Sequence, residues 1–248
     1  MKRFLPALLL VFLACISLLG LATAGKKTTA PPSGTAVVEL FTSEGCSSCP
    51  PADEALAAAA KTYTGHVYVL GYHVDYWDRL GWKDPFSNAA WTDRQNGYAN
   101  LFKLNSIYTP QAIVNGKTQF TGSDKNRLNA AIENELKLPP AAAPELNAET
   151  DAGKNILVSC KTAASPGRLL NIALVQRSAE TQVKKGENEG KHLQHINIVR
   201  ELKTVPAGTA AVSFHLPAGL SAADCLIIAF IQDKQTLAIT AAAEASVH

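Results

Sequence analysis

Two cysteines three positions apart, Cys46-Ser47-Ser48-Cys49, are the residues of this 248-residue chain best suited to chemistry. Thiols at this spacing can exchange a disulfide with a partner, staple the chain or supply half of a zinc site. Exchange needs an attacking sulfur whose thiolate is favoured and a second sulfur close enough to resolve the mixed disulfide. A helix N-terminus favours the thiolate, because its orphan N–H groups and dipole attract negative charge. The flanking residues predict that placement. Val37 to Thr42 (VVELFT) reads as a strand, and Pro51 to Tyr63, rich in Ala and Leu with Asp53 and Glu54 in its first turn, as a helix. Cys46 is then the attacking thiol and Cys49 the resolving one. Zinc commonly needs a second CxxC or a His pair, and neither is near in sequence.

The segment Tyr72 to Trp91 is the next candidate. It holds Tyr72, His73, Tyr76, Trp77, Trp82, Phe86 and Trp91, including every Trp of the chain. An aromatic insertion of this length can form a substrate surface, with Tyr72, His73, Asp75, Trp77 and Trp82 its candidate residues, or pack as a satellite core. Cys46, Cys49 and His73 would make a soft ligand set for copper, although a lone His in a strand is more often structural. Further on, Gly186-Glu187-Asn188-Glu189-Gly190 reads as a turn before His192 and His195. Residues three apart on a strand face opposite sides, so these two are no obvious metal pair. The segment is either a surface turn or an edge that folds over the thiol site.

The elements that must position these residues follow from periodicity. Val67 to Val74 (VYVLGYHV) reads as a second strand, residues 75–87 as irregular and Ala89 to Leu104 as a helix. Gln111 to Val114, the Asn115-Gly116 turn and Thr118 to Thr121 predict a hairpin. Ser123 is expected to cap a helix running to about Leu138, with Leu128, Ile132 and Leu136 at four-residue steps. Residues 139–144 (PPAAAP) read as a linker. Beyond it come short strand-like runs: 156–162, 169–178, 196–202, 211–216, 225–232 and 237–240. They predict a small antiparallel sandwich.

The chain opens as an export signal does. A basic start (Lys2, Arg3), an apolar run (Phe4 to Leu21) and Ala22-Thr23-Ala24 predict a signal peptide over 1–24, then a linker over 25–34. A lipoprotein signal on Cys15 and an uncleaved anchor are the rivals. The expected location is periplasmic or secreted. Without Lys2 and Arg3 the basic count falls from 23 to 21, equal to the acidic count of 21, so nothing favours nucleic acid or anionic lipid. In an oxidising compartment Cys160 and Cys225 are expected to pair as a structural disulfide; the alternative is two buried thiols.

VVELFTSEGCSSCPPAD, YHVDYW, WKDPFS, IYTPQAIVNG and VKKGENEGKHLQHINIVREL together resemble a bacterial family. It is the secreted, thioredoxin-like domain-of-unknown-function family numbered twelve twenty-three. The resemblance implies an α/β thioredoxin-like N-terminal domain over 35–138, followed by a small all-β sandwich-like domain over 145–248. It also implies a cis Pro110 against the CxxC, with Thr109 offering backbone groups to a substrate chain. The default for any X-Pro bond is trans. The acid that thioredoxin buries six residues before its first cysteine is replaced here by Leu40. Glu44 and Glu39 are the candidates for its proton-transfer role, although strand alternation points Glu39 to the opposite face. Pro50, Pro51, Asp53 and Glu54 oppose thiolate formation or remove N–H donors near the thiols.

The expected function is an exported thiol–disulfide oxidoreductase or redox-partner protein. It needs no cofactor and acts on protein thiols or disulfides. The alternative is a non-catalytic binding protein, such as a copper carrier or assembly factor, using the same thiols.

Overall fold

In the computed structural model, which describes residues 34–151 and 154–248, the run before the cysteines is strand β1 (Ala36–Thr42). All seven of its residues are buried, which explains an apolar run without alternation. Helix α1 (Pro50–Thr62) begins at two prolines, tolerated there because first-turn N–H groups lack helical partners. It buries Ala52, Ala55, Leu56 and Ala59. Strand β2 (Val67–His73) lies parallel to β1, in register from Ala36 opposite Val67 to Thr42 opposite His73. Helix α2 (Ala89–Phe102) is capped by Asn88, whose side chain accepts from the Ala90 N–H.

Strand β3 (Gln111–Val114) runs antiparallel to β1 and turns into β4 (Thr118–Thr121). Asn115 and Gly116 both take positive φ there, as the hairpin signal requires. Helix α3 (Lys125–Leu136) buries Leu128, Ile132 and Leu136, as expected. Its cap is Asp124 rather than Ser123: the carboxylate accepts from Arg127 N at 3.0 Å.

The second half holds β5 (Glu145–Thr150), β6 (Asn155–Lys161), β7 (Arg168–Gln182), β8 (His192–Pro206), β9 (Ala211–His215), β10 (Cys225–Asp233) and β11 (Ile239–Ser246). Here the expected fold class is overturned. β7, β8, β10 and β11 do not close a separate sandwich. They extend the first sheet, giving one mixed eight-stranded sheet in the order β11-β10-β7-β8-β2-β1-β3-β4. β5, β6 and β9 form a second, three-stranded sheet. The fold is mostly β, with three α-helices among the described residues, and not a thioredoxin-like α/β domain joined to a sandwich. The Pro-rich stretch 139–144 lies between α3 and β5, but the main sheet continues beyond it.

The join lies between β2 and β8, which meet in parallel at Gly71 and Ile198. A Cβ on Gly71 would stand 3.5 Å from the Ile196 carbonyl oxygen and 3.6 Å from that of Asn197. Asn197 takes a left-handed φ of 48° and its amide donates to Val69 O at 3.1 Å. An Asn in this conformation lets β8 bond β2 through a side chain where the backbone ladder stops.

Three apolar layers follow. One face of the main sheet packs Val38 and Leu40 against α1 and α3. The other face buries Phe41, Tyr72, Trp91 and Tyr98 with Ile228 and Phe230, residues from both halves of the chain. The third layer joins the two sheets through Ile156, Val158, Phe214, Ile172 and Ile227. Cys160 and Cys225 belong to this layer as free, buried thiols, so the expected disulfide between them is not formed. They sit on strands of different sheets and fill apolar space, and burial raises both thiols above their ordinary range.

The proposed signal peptide, 1–24, and the linker that follows it up to residue 33 lie outside the described residues. Among those described, no helix is long and apolar enough to cross a membrane.

Candidate functional site

The chain leaves β1 at Thr42 and turns tightly, with Cys46 N donating to Ser43 O at 3.1 Å. Cys46 and Cys49 form a disulfide with their Cα atoms 5.4 Å apart. Cys49 stands at the N-cap of α1 and its carbonyl accepts from Ala52 N and Asp53 N. Spacing thus placed the pair correctly, but an exposed attacking sulfur is not what results. Ser47 and Ser48 are exposed, whereas both cysteines are fully buried.

The loop from Val183 to Lys191, between β7 and β8, lies over this turn. The Asn188 side chain donates to Glu44 O at 2.8 Å and to Cys46 O at 2.9 Å. The Glu187 carboxylate accepts from Ser47 N at 3.0 Å. Of the two readings of 186–190, this is the geometry of the segment that folds over the thiols.

Glu44, just before Cys46, and Asp53, one turn after Cys49, belong to a cluster of ionisable side chains drawn from five places in the chain. Glu44 is wholly buried; it accepts from Trp82 Nε1 at 2.7 Å and lies 3.2 Å from His195 Nε2. His195 comes from β8, and its Nδ1 is buried without a hydrogen-bond partner, 3.7 Å from Asp53 Oδ2. His73, at the end of β2, pairs through Nδ1 with Asp84 Oδ2 at 2.7 Å, and Asp84 also accepts from Glu44 N and Phe86 N. The His73 and His195 rings meet edge to face, 4.7 Å between centroids.

Their protonation follows from this packing. Burial pushes the Asp53 carboxyl up to about 6, partly offset by the nearby His195 and His73. Burial alone would pull His73 down, but the carboxylates around it, Asp84 first and then Asp53 and Glu44, together hold it above its ordinary value. For Asp84, burial raises and His73 lowers, with a net downward shift. Among the described residues, no group of three or more His, Cys, Asp or Glu is arranged to hold a metal ion.

The other sequence candidates divide. Thr109-Pro110 is cis and opens β3. Thr109 Oγ1 accepts from Trp77 Nε1 at 2.8 Å, and Trp77 in turn packs on the turn, its Cβ 3.2 Å from where a Gly45 Cβ would be. Trp77, Tyr76, Arg79, Leu80 and Ile107 line a groove of about 420 Å³. Asp75 accepts from Thr92 Oγ1 at 2.6 Å. Tyr72 is wholly buried in the core and takes no part in a surface.

Glu39 points away from the Glu44 side, as alternation requires. It is buried against Arg94 Nε at 2.6 Å and accepts from Tyr98 OH. Asp84 is not among the candidates the sequence offers, and Asn188 enters only as part of the 186–190 segment, with no role of its own. Sequence reasoning reads Asp53 as an opposing charge and His195 as an ordinary strand residue. The WKDPFS segment gave Asp84 no signal, and Asn188 reaches Glu44 across 144 positions.

No curated protein matches this chain. Among solved structures it is similar to protein AGR_C_4864 from Agrobacterium tumefaciens, 31% identical over 87% of this chain and 95% of that one, with a TM-score of 0.60. It also shares a fold with HBP35 of Porphyromonas gingivalis, 16% identical over 88% of this chain and 77% of that one, with a TM-score of 0.55. A family model described as "Protein of unknown function (DUF1223)" matches residues 37–232, from β1 nearly to the end of β10, and this chain belongs to that family.

Proposed function

We propose that this chain is a thiol–disulfide oxidoreductase, or the redox partner of one, acting through Cys46 and Cys49 on protein thiols outside the cytoplasm. The observation that carries this reading is the cluster of Glu44, Asp53, His73, Asp84 and His195 built onto the residues that flank the Cys46–Cys49 disulfide, Glu44 just before Cys46 and Asp53 one turn after Cys49. A disulfide that only stapled so short a loop would contribute about 2 kcal/mol in the chain-entropy account. It would also have no use for neighbouring ionisable groups, which are costly to bury. Exchange does use them, because sulfur leaves as thiolate and must take up a proton.

In the reductive direction a partner thiolate attacks the Cys46 sulfur. The S–S bond breaks, its electron pair stays on Cys49, and a mixed disulfide forms on Cys46. The Cys49 thiolate takes a proton or, in the reverse course, attacks that mixed disulfide and releases the partner. Asp53 follows Cys49 by one helical turn, on the same side of α1. With its carboxyl near 6 it holds or yields a proton around neutral pH, and His195 Nδ1 stands 3.7 Å from it. The reading calls for no cofactor. Export is supported by the basic start, apolar run and Ala-Thr-Ala of residues 1–24.

The test is exchange with a small fluorogenic disulfide in a glutathione buffer. Turnover is expected for the native protein and is lost in Cys46→Ser. Native turnover in the Cys46→Ser/Cys49→Ser double variant would overturn the proposal.

A further inference from the structure

The loop over the disulfide is held in an unusual way. Its root, Val183, is buried, but Lys184, Lys185, Glu187, Glu189 and Lys191 are exposed. What fixes the tip is polar. Asn188 is fully buried, spends its amide group on Glu44 O and Cys46 O, and accepts from Lys191 Nζ at 2.8 Å on its own oxygen. Glu187 adds a bond to Ser47 N. Asn188 is flanked by Gly186 and Gly190, with φ of 81° and 80°, a region other residues rarely enter. A segment with a glycine on either side of its anchor and no apolar side chain beyond its root can lift as a unit. Lifting exchanges a few hydrogen bonds for water, a modest net cost.

We infer that residues 184–190 are a latch and that Asn188 is the access-determining residue of the thiol site. With the latch down, neither sulfur is reachable; with it up, the Cys46 turn is open to an attacking thiolate. The latch deepens the thiol reading, since it would restrict exchange to partners that lift or outlast it. Its existence does not depend on any physiological partner.

The experiment follows reduction of the oxidised full chain by dithiothreitol, which supplies both electrons and ends as its own cyclic disulfide while Cys46 and Cys49 become thiols. In the wild type the rate is expected to rise and then level off with dithiothreitol concentration, as lifting becomes limiting. Asn188→Ala should raise the plateau by about tenfold. Glu187→Ala, a change at an exposed residue, should raise it by a smaller factor. A rate that stays proportional to dithiothreitol in the wild type and is unchanged in both variants would overturn the latch. A purely structural Asn188 would lower the melting temperature without altering the concentration dependence, and that result would overturn it too. If the double cysteine variant kept native turnover, the oxidoreductase reading would fall while the plateau still decided the latch.

Discussion

Glu39 and Glu44 are five residues apart and both wholly buried, yet they sit in opposite kinds of environment. Glu39 faces Arg94, and Tyr98 donates to it; Gln232 donates on to Tyr98, Asn171 to Gln232 and Thr204 to Asn171. That chain of bonds ties β1 and α2 to β10, β7 and β8. The Arg94 guanidinium is further enclosed by the rings of Tyr72, Tyr98 and Phe230. Its charge is fixed at every accessible pH. Around Glu44 the ion pairs run instead from carboxylates to two imidazoles, and one imidazole nitrogen lacks a hydrogen-bond partner. The first cluster is a staple across the sheet. The second can change its protonation near neutral pH, which is what a thiol site can use.

The largest effect should come from the staple. Arg94→Ala leaves Glu39 buried and unpaired, and should cost about 3–5 kcal/mol in denaturant unfolding. The reactivity of the disulfide per folded molecule should be unchanged; parallel losses in both would erase the distinction between the clusters.

Asp53→Asn should do the reverse and stabilise the protein, but only above about pH 6. The Asp53 carboxyl is raised from 3.8 to about 6, so its proton-bound form suits the folded state. The stability this gives is full below 3.8 and is lost as pH rises through 6. A neutral amide removes that loss, with a gain of at most about 3 kcal/mol at pH 8 and none at pH 3. Equal unfolding midpoints for the two proteins at both pH values would contradict this.

Asp84→Asn should cost about 2 kcal/mol, because a charge-assisted bond to His73 is lost. It should also move the His73 titration, read from its imidazole proton resonances, to lower pH. The sign follows from the pair. His73 is raised, so its contribution is lost as pH rises past its folded value; Asp84 is lowered, so its contribution is lost as pH falls past its own. An unmoved His73 titration would mean that Asp84 does not set its charge. The smallest effect belongs to Trp82→Phe, which removes one hydrogen bond to Glu44 and should cost about 1 kcal/mol by thermal melting.

The difference between local and distant contacts also explains what the sequence made legible. β1, α1, β2, the hairpin and α3 follow from apolar spacing, prolines at a helix start and an Asn-Gly turn, all signals carried within a few residues. The attachment of β8 to β2 has no such signal, because strand order is not written in periodicity. One signal of the wider sheet stands in the sequence, the unbroken apolar run CLIIAF at 225–230. Cys225 to Phe230 is a continuous buried run, the mark of a strand covered on both faces, whereas β6 alternates exposed and buried as a strand with one wet face does. The site divides in the same way. Cys46, Cys49, Glu44 and His73 were visible from type and spacing. Asn188 and His195 joined them only through the β7–β8 hairpin, whose tip lies more than 130 residues further along the chain.

The central claim, that Cys46 and Cys49 exchange disulfides with other proteins, is tested most directly by trapping. Cys49→Ser protein, expressed with its own N-terminus and quenched in acid, would be separated without reductant and mapped by mass spectrometry. The account predicts Cys46 in mixed disulfides with partner proteins, absent when Cys46 is also replaced. Cys46 recovered only as a free thiol, with no adduct under oxidising or reducing growth, would contradict it.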